Sequence, residues 1–262
     1  MRPRIAIPRP HSQDPEHVAK AFPQYCQAVE AAGGEPVEIS LQLANQRIAR
    51  LAASCDGILL PGSRSDISPE RYGAARHPRT APDDPPRWNV DELLLQDAYN
   101  MHKPLLGVCF GLQSLNVWRS GTLTQHLEGP VQHSGTAQES APLHSVAIAP
   151  DSRLATILGM DSDRRSPAVL TVNSSHHQAA AKVGDGLRAV AWCPGDRVIE
   201  ALEGIASSHW VVAVQWHPER MTEDAAARAL FRAFVSAARE RRGHPRNATV
   251  DFESIRSGWG EE

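Results

Sequence analysis

The stretch from Pro104 to Gln113, PLLGVCFGLQ, is the feature that most restricts how this chain can fold. Its apolar run, residues 105–108, is typical of a buried strand and leads directly to Cys109, with Gly107 and Gly111 on either side. A reactive side chain at a sharp strand-to-helix turn needs small neighbours, because the strained backbone passes close to adjacent strands. The pattern therefore predicts a nucleophile elbow at the end of a strand in an α/β protein.

Cys109 has two interpretations. At the start of the helix predicted over residues 110–118, unpaired N–H groups and the helix dipole favour the thiolate, which is the nucleophile. A lone cysteine is otherwise commonly buried and inert. The chain has three other cysteines, Cys26, Cys55 and Cys193, which lie far apart and form no CxxC pair. Neither a zinc site nor a disulfide framework is therefore predicted, and we expect a reducing, cytoplasmic location.

The first 60 residues alternate between strand and helix patterns, which predicts a parallel sheet with helices on both faces. Strands are predicted at residues 4–7, 36–40, 55–60 and 105–108, and helices at about 16–32, 45–53, 89–100 and 110–118. A polar, proline-rich segment from Arg64 to Trp88 is too long for a simple connection. We interpret it as a rim or lid of the site.

After Gly121 the pattern changes to strands and turns. Strands are predicted at residues 145–149, 169–172, 187–192, 198–202 and 210–216. No flexible linker separates the two halves, so these strands are interpreted as an antiparallel extension on one edge of the main sheet. With Thr222 as the predicted N-cap, a last helix reaches about Arg242. Residues 1–242 are thus predicted to form a single domain and residues 243–262 a polar tail.

Charge and hydropathy exclude two classes of partner. The net charge of −3 does not favour nucleic acid or an anionic membrane surface. No apolar run approaches the roughly 20 residues of a membrane span, and the N-terminal residues do not resemble a signal peptide. We therefore expect a small-molecule substrate, with no nucleic acid and no membrane.

A candidate base for the cysteine follows the apolar run at residues 211–214. Pro218 favours an extended backbone at His217, so the side chains of His217 and Glu219 point to the same side. A carboxylate there can orient the imidazole and stabilise the imidazolium. The alternative is a histidine that ends a strand and a glutamate that begins the next helix.

A second histidine pair, His176 and His177, also has the chemistry of metal ligands. No third ligand at metal-site spacing accompanies the pair in the sequence, so no metal site is predicted.

Several strings together resemble the class I glutamine amidotransferase-like family, and within it most closely the peptidase C26 branch of γ-glutamyl-γ-aminobutyrate hydrolases. They are GVCFGLQ (107–113), GTLTQ (121–125), CDGILLPGS (55–63), SPERYG (68–73), VNSSHHQ (172–178) and AVQWHPE (213–219). The resemblance extends from about residue 4 to 240. It implies a flavodoxin-like, mostly parallel sheet flanked by helices, with a small antiparallel extension.

The resemblance also implies roles for particular residues. Cys109 is expected as the nucleophile, His217 as the base and Glu219 as the acid that orients it. The oxyanion hole is expected on backbone N–H groups of Phe110 and of the Gly62-Ser63 turn, and the γ-glutamyl pocket at Gln113, Ser175 and His176. No metal or cofactor is implied, and a homodimer is left open.

The chain departs from the family pattern at three places, which leaves the substrate open. Ser120-Gly121 stands where two glycines are common, Phe110 stands where a polar or basic residue is frequent, and residues 63–66 are not glycine-rich. We hypothesise that Arg64 and Arg87 recognise a carboxylate on the leaving amine. The alternative is that both arginines are solvated loop residues.

Three functions fit these features. One is hydrolysis of a γ-glutamyl amine through a thioester, and the second is a glutaminase subunit that delivers ammonia to a separate synthetase. The third is a binding protein without catalysis, which the complete Cys-His-Glu set disfavours.

Overall fold

A nine-stranded β-sheet forms the centre of the computed structural model, which describes residues 1–135, 141–160 and 166–243. The strands in chain order are β1 (Arg4–Pro8), β2 (Glu35–Ile39), β3 (Gly57–Leu60), β4 (Leu105–Val108), β5 (Leu123–Thr124), β6 (Leu143–Ile148), β7 (Ala168–Asn173), β8 (Ala179–Ala180), β9 (Leu187–Trp192), β10 (Ile199–Gly204) and β11 (Val211–Val214). The helices are α1 (Pro15–Ala31), α2 (Asn45–Ala53), α3 (Pro85–Asn100), α4 (Phe110–Trp118), α5 (Arg153–Ile157) and α6 (Ala225–Gly243).

The strand order of the sheet is β2-β1-β3-β4-β11-β10-β9-β6-β7. The first five strands in this order are mutually parallel, and the last four continue the sheet in antiparallel pairs. Strands β5 and β8 form a separate antiparallel pair. The predicted mostly parallel sheet with an antiparallel extension is therefore confirmed.

The parallel strands are buried on both faces, as their continuous apolar sequences require. Alternate side chains enter different cores because successive residues of a strand point to opposite faces. Ile5 and Ile7 of β1 join a cluster with residues of α1 and α6, whereas Ala6 joins a cluster with residues of α3 and α4. The helices thus cover both faces and leave the strand ends open at the edge of the sheet.

Strand β11 does not lie in the antiparallel extension, where the sequence placed it. It pairs with β4 in parallel register, Val214 opposite Val108, at the centre of the sheet. The physical reason is that all four of its residues are apolar, so the free energy of folding is most favourable when both faces of the strand are buried. As a result, the segments that follow Val108 and Val214 emerge side by side at the same edge of the sheet.

Helix α3 begins at Pro85, four residues before the predicted start. The Asp84 carboxylate caps this end by accepting a hydrogen bond from the Arg87 N–H. A proline in the first turn suits a helix start, because its missing N–H would have no intrahelical partner there. The proline-rich segment is correspondingly shorter than predicted.

Helix α6 is capped by Asp224 rather than Thr222. The Asp224 carboxylate accepts hydrogen bonds from the N–H groups of Ala226 and Ala227, so the helix starts at Ala225. Beyond Gly243, the predicted tail lies outside the described residues. Among the residues that are described, the helices are too short or too polar to cross a membrane.

Candidate active site

The strand-to-helix turn predicted at Cys109 is present between β4 and α4. Cys109 has φ 51° and ψ −104°, an uncommon backbone conformation for a residue with a side chain. A methyl group on Gly111 would lie 2.2 Å from the Leu60 carbonyl oxygen, and one on Gly107 would lie 3.0 Å from the Ala213 Cβ. The two glycines therefore allow the turn to pack directly against β3 and β11.

His217 and Glu219 follow β11 and form a buried pair. His217 Nδ1 and Glu219 Oε1 are 2.8 Å apart, and both side chains are almost completely buried. Asn173, at the end of β7, holds the His217 backbone from both sides. Its Oδ1 accepts from the His217 N–H at 2.8 Å, and its Nδ2 donates to the His217 carbonyl at 2.9 Å. Sequence reasoning missed Asn173, although the residue lies within the VNSSHHQ string.

The electrostatic environment favours a charged pair. Burial by itself lowers the pKa of His217, but the charges of Glu219 and Cys109 outweigh burial and raise this pKa to about 9. Burial opposes ionisation of Glu219 as well, yet His217 and Arg220 hold the pKa of Glu219 below its usual value. Arg220 Nε lies 3.4 Å from Glu219 Oε1. An imidazolium facing Cys109 is therefore stabilised at neutral pH.

Gly62, at the end of β3, lies where these groups meet. A methyl group on Gly62 would lie 2.9 Å from His217 Cε1, 3.1 Å from Tyr25 Oη and 3.5 Å from Cys109 Cβ. Three neighbouring parallel strands, β3, β4 and β11, thus each contribute a residue at the edge where ligands of such sheets bind. The fourth residue, Tyr25, comes from α1.

The predicted oxyanion hole requires a correction at Gly62. Its N–H already donates a hydrogen bond of 3.0 Å to Tyr25 Oη. In the turn, the Ser63 N–H has no hydrogen-bond partner among the described residues. The Phe110 N–H, at the first position of α4, has no intrahelical acceptor. Of the predicted donors, Ser63 and Phe110 therefore keep free N–H groups, and Gly62 supplies space.

A cavity of about 410 Å³ opens above Cys109 and His217. Five of the predicted substrate residues line it: Gly62, Ser63, Gln113, Ser175 and His176. Gln113 Nε2 donates to the Gln178 carbonyl at 3.0 Å. Three cationic side chains also line it: Lys20, Arg64 and Arg220.

The ring nitrogens of His176 lie next to other protein groups. Its Nδ1 lies 2.9 Å from the Gln178 carbonyl oxygen, and its Nε2 lies 3.7 Å from Glu200 Oε1 in the interior. Both ring nitrogens therefore face protein groups, although the residue itself lines the cavity. The predicted role of His176 in substrate binding stays a prediction.

The Arg87 hypothesis is wrong. Arg87 is completely buried, with Nε 2.8 Å from Asp91 Oδ1 and Nη2 2.6 Å from the Pro61 carbonyl oxygen. Its guanidinium also lies 4.8 Å from the centre of the Phe110 ring, which explains why an aromatic residue suits position 110. Arg87 therefore supports the floor of the site.

Arg64, in contrast, is exposed at the cavity. It forms an ion pair with Asp14, with 3.2 Å between Nη1 and Oδ2. Its part in substrate recognition stays a prediction.

Comparison with known proteins places this site in a family. The family model of peptidase C26 matches residues 7–219. The chain belongs to the peptidase C26 family. It is a hydrolase of the glutamine amidotransferase-like type.

Two relatives and one solved structure illustrate the similarity. One relative is Rv2859c of Mycobacterium tuberculosis, which is provisionally named a glutamine amidotransferase. The two chains are 35% identical over 82% of this chain and 66% of that protein. It is 32% identical to the γ-glutamyl-γ-aminobutyrate hydrolase PuuD of Escherichia coli K12, over 82% of this chain and 84% of that protein. The solved structure is a protein of Thermoplasma acidophilum that is provisionally named a subunit of a GMP synthase. It shares the fold with a TM-score of 0.62 at 13% sequence identity, and the similarity covers 93% of this chain and 97% of the other.

Proposed function

We propose that this C26 hydrolase cleaves the γ-glutamyl amide bond of a γ-glutamyl amine through a thioester on Cys109. The observation that carries the proposal is the meeting of the Cys109 turn with the buried His217 and Glu219 pair at the floor of one cavity. A nucleophile, a base and a group that orients the base are the parts that acyl transfer requires.

In the proposed reaction, the Cys109 thiol first passes its proton to His217, and the resulting thiolate attacks the γ-carbonyl carbon. The Ser63 and Phe110 N–H groups stabilise the negative charge on the carbonyl oxygen. His217 then donates its proton to the leaving nitrogen, the C–N bond breaks, and a free amine departs. Water activated by His217 hydrolyses the thioester, which releases glutamate and restores the thiol.

The charge of the cavity favours an acidic leaving group. Lys20, Arg64 and Arg220 line it together with one carboxylate, Asp66, so an amine that carries its own carboxylate has cationic side chains with which to pair. γ-Glutamyl-γ-aminobutyrate has that chemistry, and the Escherichia coli relative is named for its hydrolysis.

The test is to incubate the purified protein with γ-glutamyl-γ-aminobutyrate, uncharged γ-glutamyl alkylamides, folate polyglutamate and glutamine, and to follow glutamate release. We expect the highest kcat/KM for the γ-glutamyl amine with a carboxylate. The Cys109→Ala variant serves as the control for contaminating activity. Release from glutamine alone, increased by an added synthetase, would instead support the glutaminase alternative.

A further inference from the structure

Four buried side chains from four different segments converge behind the wall of the active-site cavity. The four are His133, His144 of β6, His176 and Glu200 of β10, and their exposed fractions are 4, 9, 5 and 0%, in that order. One potential ligand atom from each lies within 4.8 Å of those of the other three. The catalytic reaction proposed above uses none of these side-chain atoms.

The ring orientations leave one nitrogen of each histidine facing the centre of this cluster. His133 Nε2 lies 2.8 Å from Asp196 Oδ2, and His176 Nδ1 lies 2.9 Å from the Gln178 carbonyl oxygen. His144 Nδ1 lies 3.2 Å from the carbonyl oxygen of Ser145. Because these oxygens only accept hydrogen bonds, the outer nitrogens carry the protons. When a ring is neutral, its inner nitrogen therefore presents a lone pair.

Those inner atoms have no hydrogen-bond partner among the described residues. They are His133 Nδ1, His144 Nε2, His176 Nε2 and both carboxylate oxygens of Glu200. A buried carboxylate with neither oxygen hydrogen-bonded is strongly unfavourable unless a positive charge lies beside it.

The distances indicate what that positive charge is. Glu200 Oε1 lies 3.4 Å from His133 Nδ1, 3.4 Å from His144 Nε2 and 3.7 Å from His176 Nε2. These separations are too long for charge-assisted hydrogen bonds, which span about 2.7–2.9 Å. They match the spacing between ligands at the corners of a zinc tetrahedron, about 3.3–3.6 Å for bonds of about 2.0–2.2 Å.

We infer that His133, His144, His176 and Glu200 bind one divalent cation of the zinc class. Three imidazoles and a carboxylate are ligands that zinc accepts, and four protein ligands complete a tetrahedron. The charges balance, since the Glu200 and Asp196 carboxylates together neutralise a divalent ion. Asp196 takes the position of the carboxylate that commonly orients a metal-bound histidine.

Because all four ligands are buried, the site is structural rather than catalytic. It ties β6 and β10 to the segment at residues 175–178 that lines the active-site cavity. The Gln178 carbonyl accepts hydrogen bonds from both His176 Nδ1 and Gln113 Nε2. Loss of the metal should therefore loosen the cavity wall and raise KM more than it changes kcat.

The test measures metal content and does not depend on turnover. The full chain, without a histidine tag, is produced in zinc-supplemented medium and analysed by mass spectrometry for metals. We expect about one zinc per chain, falling at least tenfold in His144→Ala and Glu200→Gln. His126→Ala is the matched control, because His126 lies outside the four-ligand cluster, and it should keep its zinc.

A second measurement covers variants that fail to fold. Wild-type protein treated with a chelator is titrated with Zn²⁺, and we expect Tm to rise by at least about 5 °C, saturating at one equivalent. Co²⁺ at the same site should give the visible absorption of a tetrahedral ion. Less than one tenth of an equivalent of zinc together with no rise in Tm would overturn the inference. Loss of zinc from His126→Ala equal to that from His144→Ala would also overturn it.

Discussion

At the scale of single residues, the four cysteines differ in the environments that surround their sulfurs. Burial raises the pKa of Cys26 to about 11, and it also raises the pKa of Cys55 and Cys193. Cys109 instead lines the cavity and contacts a cationic His217. Reactivity of a cysteine follows its charge environment and access, so these environments favour Cys109, the proposed nucleophile, over the other three thiols.

We predict that a thiol alkylator at neutral pH modifies Cys109 at least tenfold faster than the other cysteines. Peptide mass spectrometry after brief treatment measures this rate for each cysteine. Cys109→Ala should lose all detectable turnover and keep the circular dichroism spectrum of the parent. Cys26→Ala is the matched control and should keep both. Faster labelling of Cys26 than of Cys109 would contradict the assignment.

The pH dependence of the reaction should report the His217 and Glu219 pair. His217 must be protonated to donate to the leaving nitrogen, and its pKa is about 9. We therefore expect kcat/KM to fall as pH rises through an apparent pKa of about 9. In Glu219→Gln this alkaline fall in kcat/KM should move to lower pH. Burial lowers the pKa of His217, and the neighbouring carboxylate is no longer present to raise it.

Replacement of His217, the proposed base, should lower the rate more than replacement of Glu219, the proposed orienting group. His217→Asn should lose roughly 10²–10⁴-fold in kcat, and Glu219→Gln should lose less. An alkaline fall in kcat/KM that does not move in Glu219→Gln would show that this carboxylate does not control the titration.

Arg64 provides a residue-scale test of substrate recognition. We expect Arg64→Ala to lower kcat/KM for γ-glutamyl-γ-aminobutyrate several-fold relative to an uncharged γ-glutamyl alkylamide, because the exposed guanidinium favours a carboxylate. Arg76→Ala is the control, since Arg76 is also exposed and does not line the cavity. An unchanged ratio in Arg64→Ala would exclude Arg64 from recognition.

At the scale of secondary-structure elements, Arg87 joins the first turn of α3 to the end of β3. Its guanidinium donates to the carbonyl oxygens of Pro10 and Pro61 and pairs with Asp91, one turn further along the helix. The Asp91 carboxylate in turn accepts from Ser114 Oγ of α4 at 2.9 Å. This buried network fixes the turn that supplies the proposed Ser63 donor relative to the helix that supplies Phe110.

We predict that Arg87→Met destabilises the protein by roughly 3–5 kcal/mol, because it leaves the Asp91 carboxylate buried without its partner. Urea unfolding followed by circular dichroism measures the free energy of unfolding. The double variant Arg87→Met with Asp91→Leu should be less destabilised than Arg87→Met alone. Arg76→Ala removes an exposed ion pair and should change stability by less than about 1 kcal/mol.

At the scale of the whole molecule, the active-site pair couples stability to pH. The raised pKa of His217 stabilises the folded state fully below its ordinary value of 6.5, and this contribution is lost as pH rises through about 9. The lowered pKa of Glu219 stabilises the folded state above its ordinary value of 4.5, and that contribution is lost at lower pH. Both contributions are therefore complete between about pH 4.5 and 6.5.

We predict that the difference in unfolding free energy between wild type and Glu219→Gln is largest at about pH 5–6. The difference should shrink by up to about 3 kcal/mol as pH approaches 9, since His217 then becomes neutral in the wild type. Thermal and urea unfolding across this range measure the difference. A constant difference from pH 5 to pH 9 would show that Glu219 acts through packing alone.

The sequence by itself determined the features that depend on near neighbours along the chain. The glycines around Cys109 predict a tight turn, and Pro218 sets the relative direction of His217 and Glu219. Alternation of strand and helix patterns predicts a parallel sheet, because short-range periodicity records which faces are buried. The observed strand-to-helix turn and the 2.8 Å separation of His217 and Glu219 agree with these local patterns.

Only the tertiary structure decided which distant segments meet. The position of β11 beside β4, the hydrogen bonds from Asn173 to His217, and the convergence of the four buried ligands behind the cavity all join residues far apart in sequence. Arg87 looked like a surface residue because nothing near it in sequence shows that carbonyl oxygens from two other loops surround it. Such contacts depend on strand order, which local propensity does not encode, and on burial of charge, which is favourable only once every partner is in place.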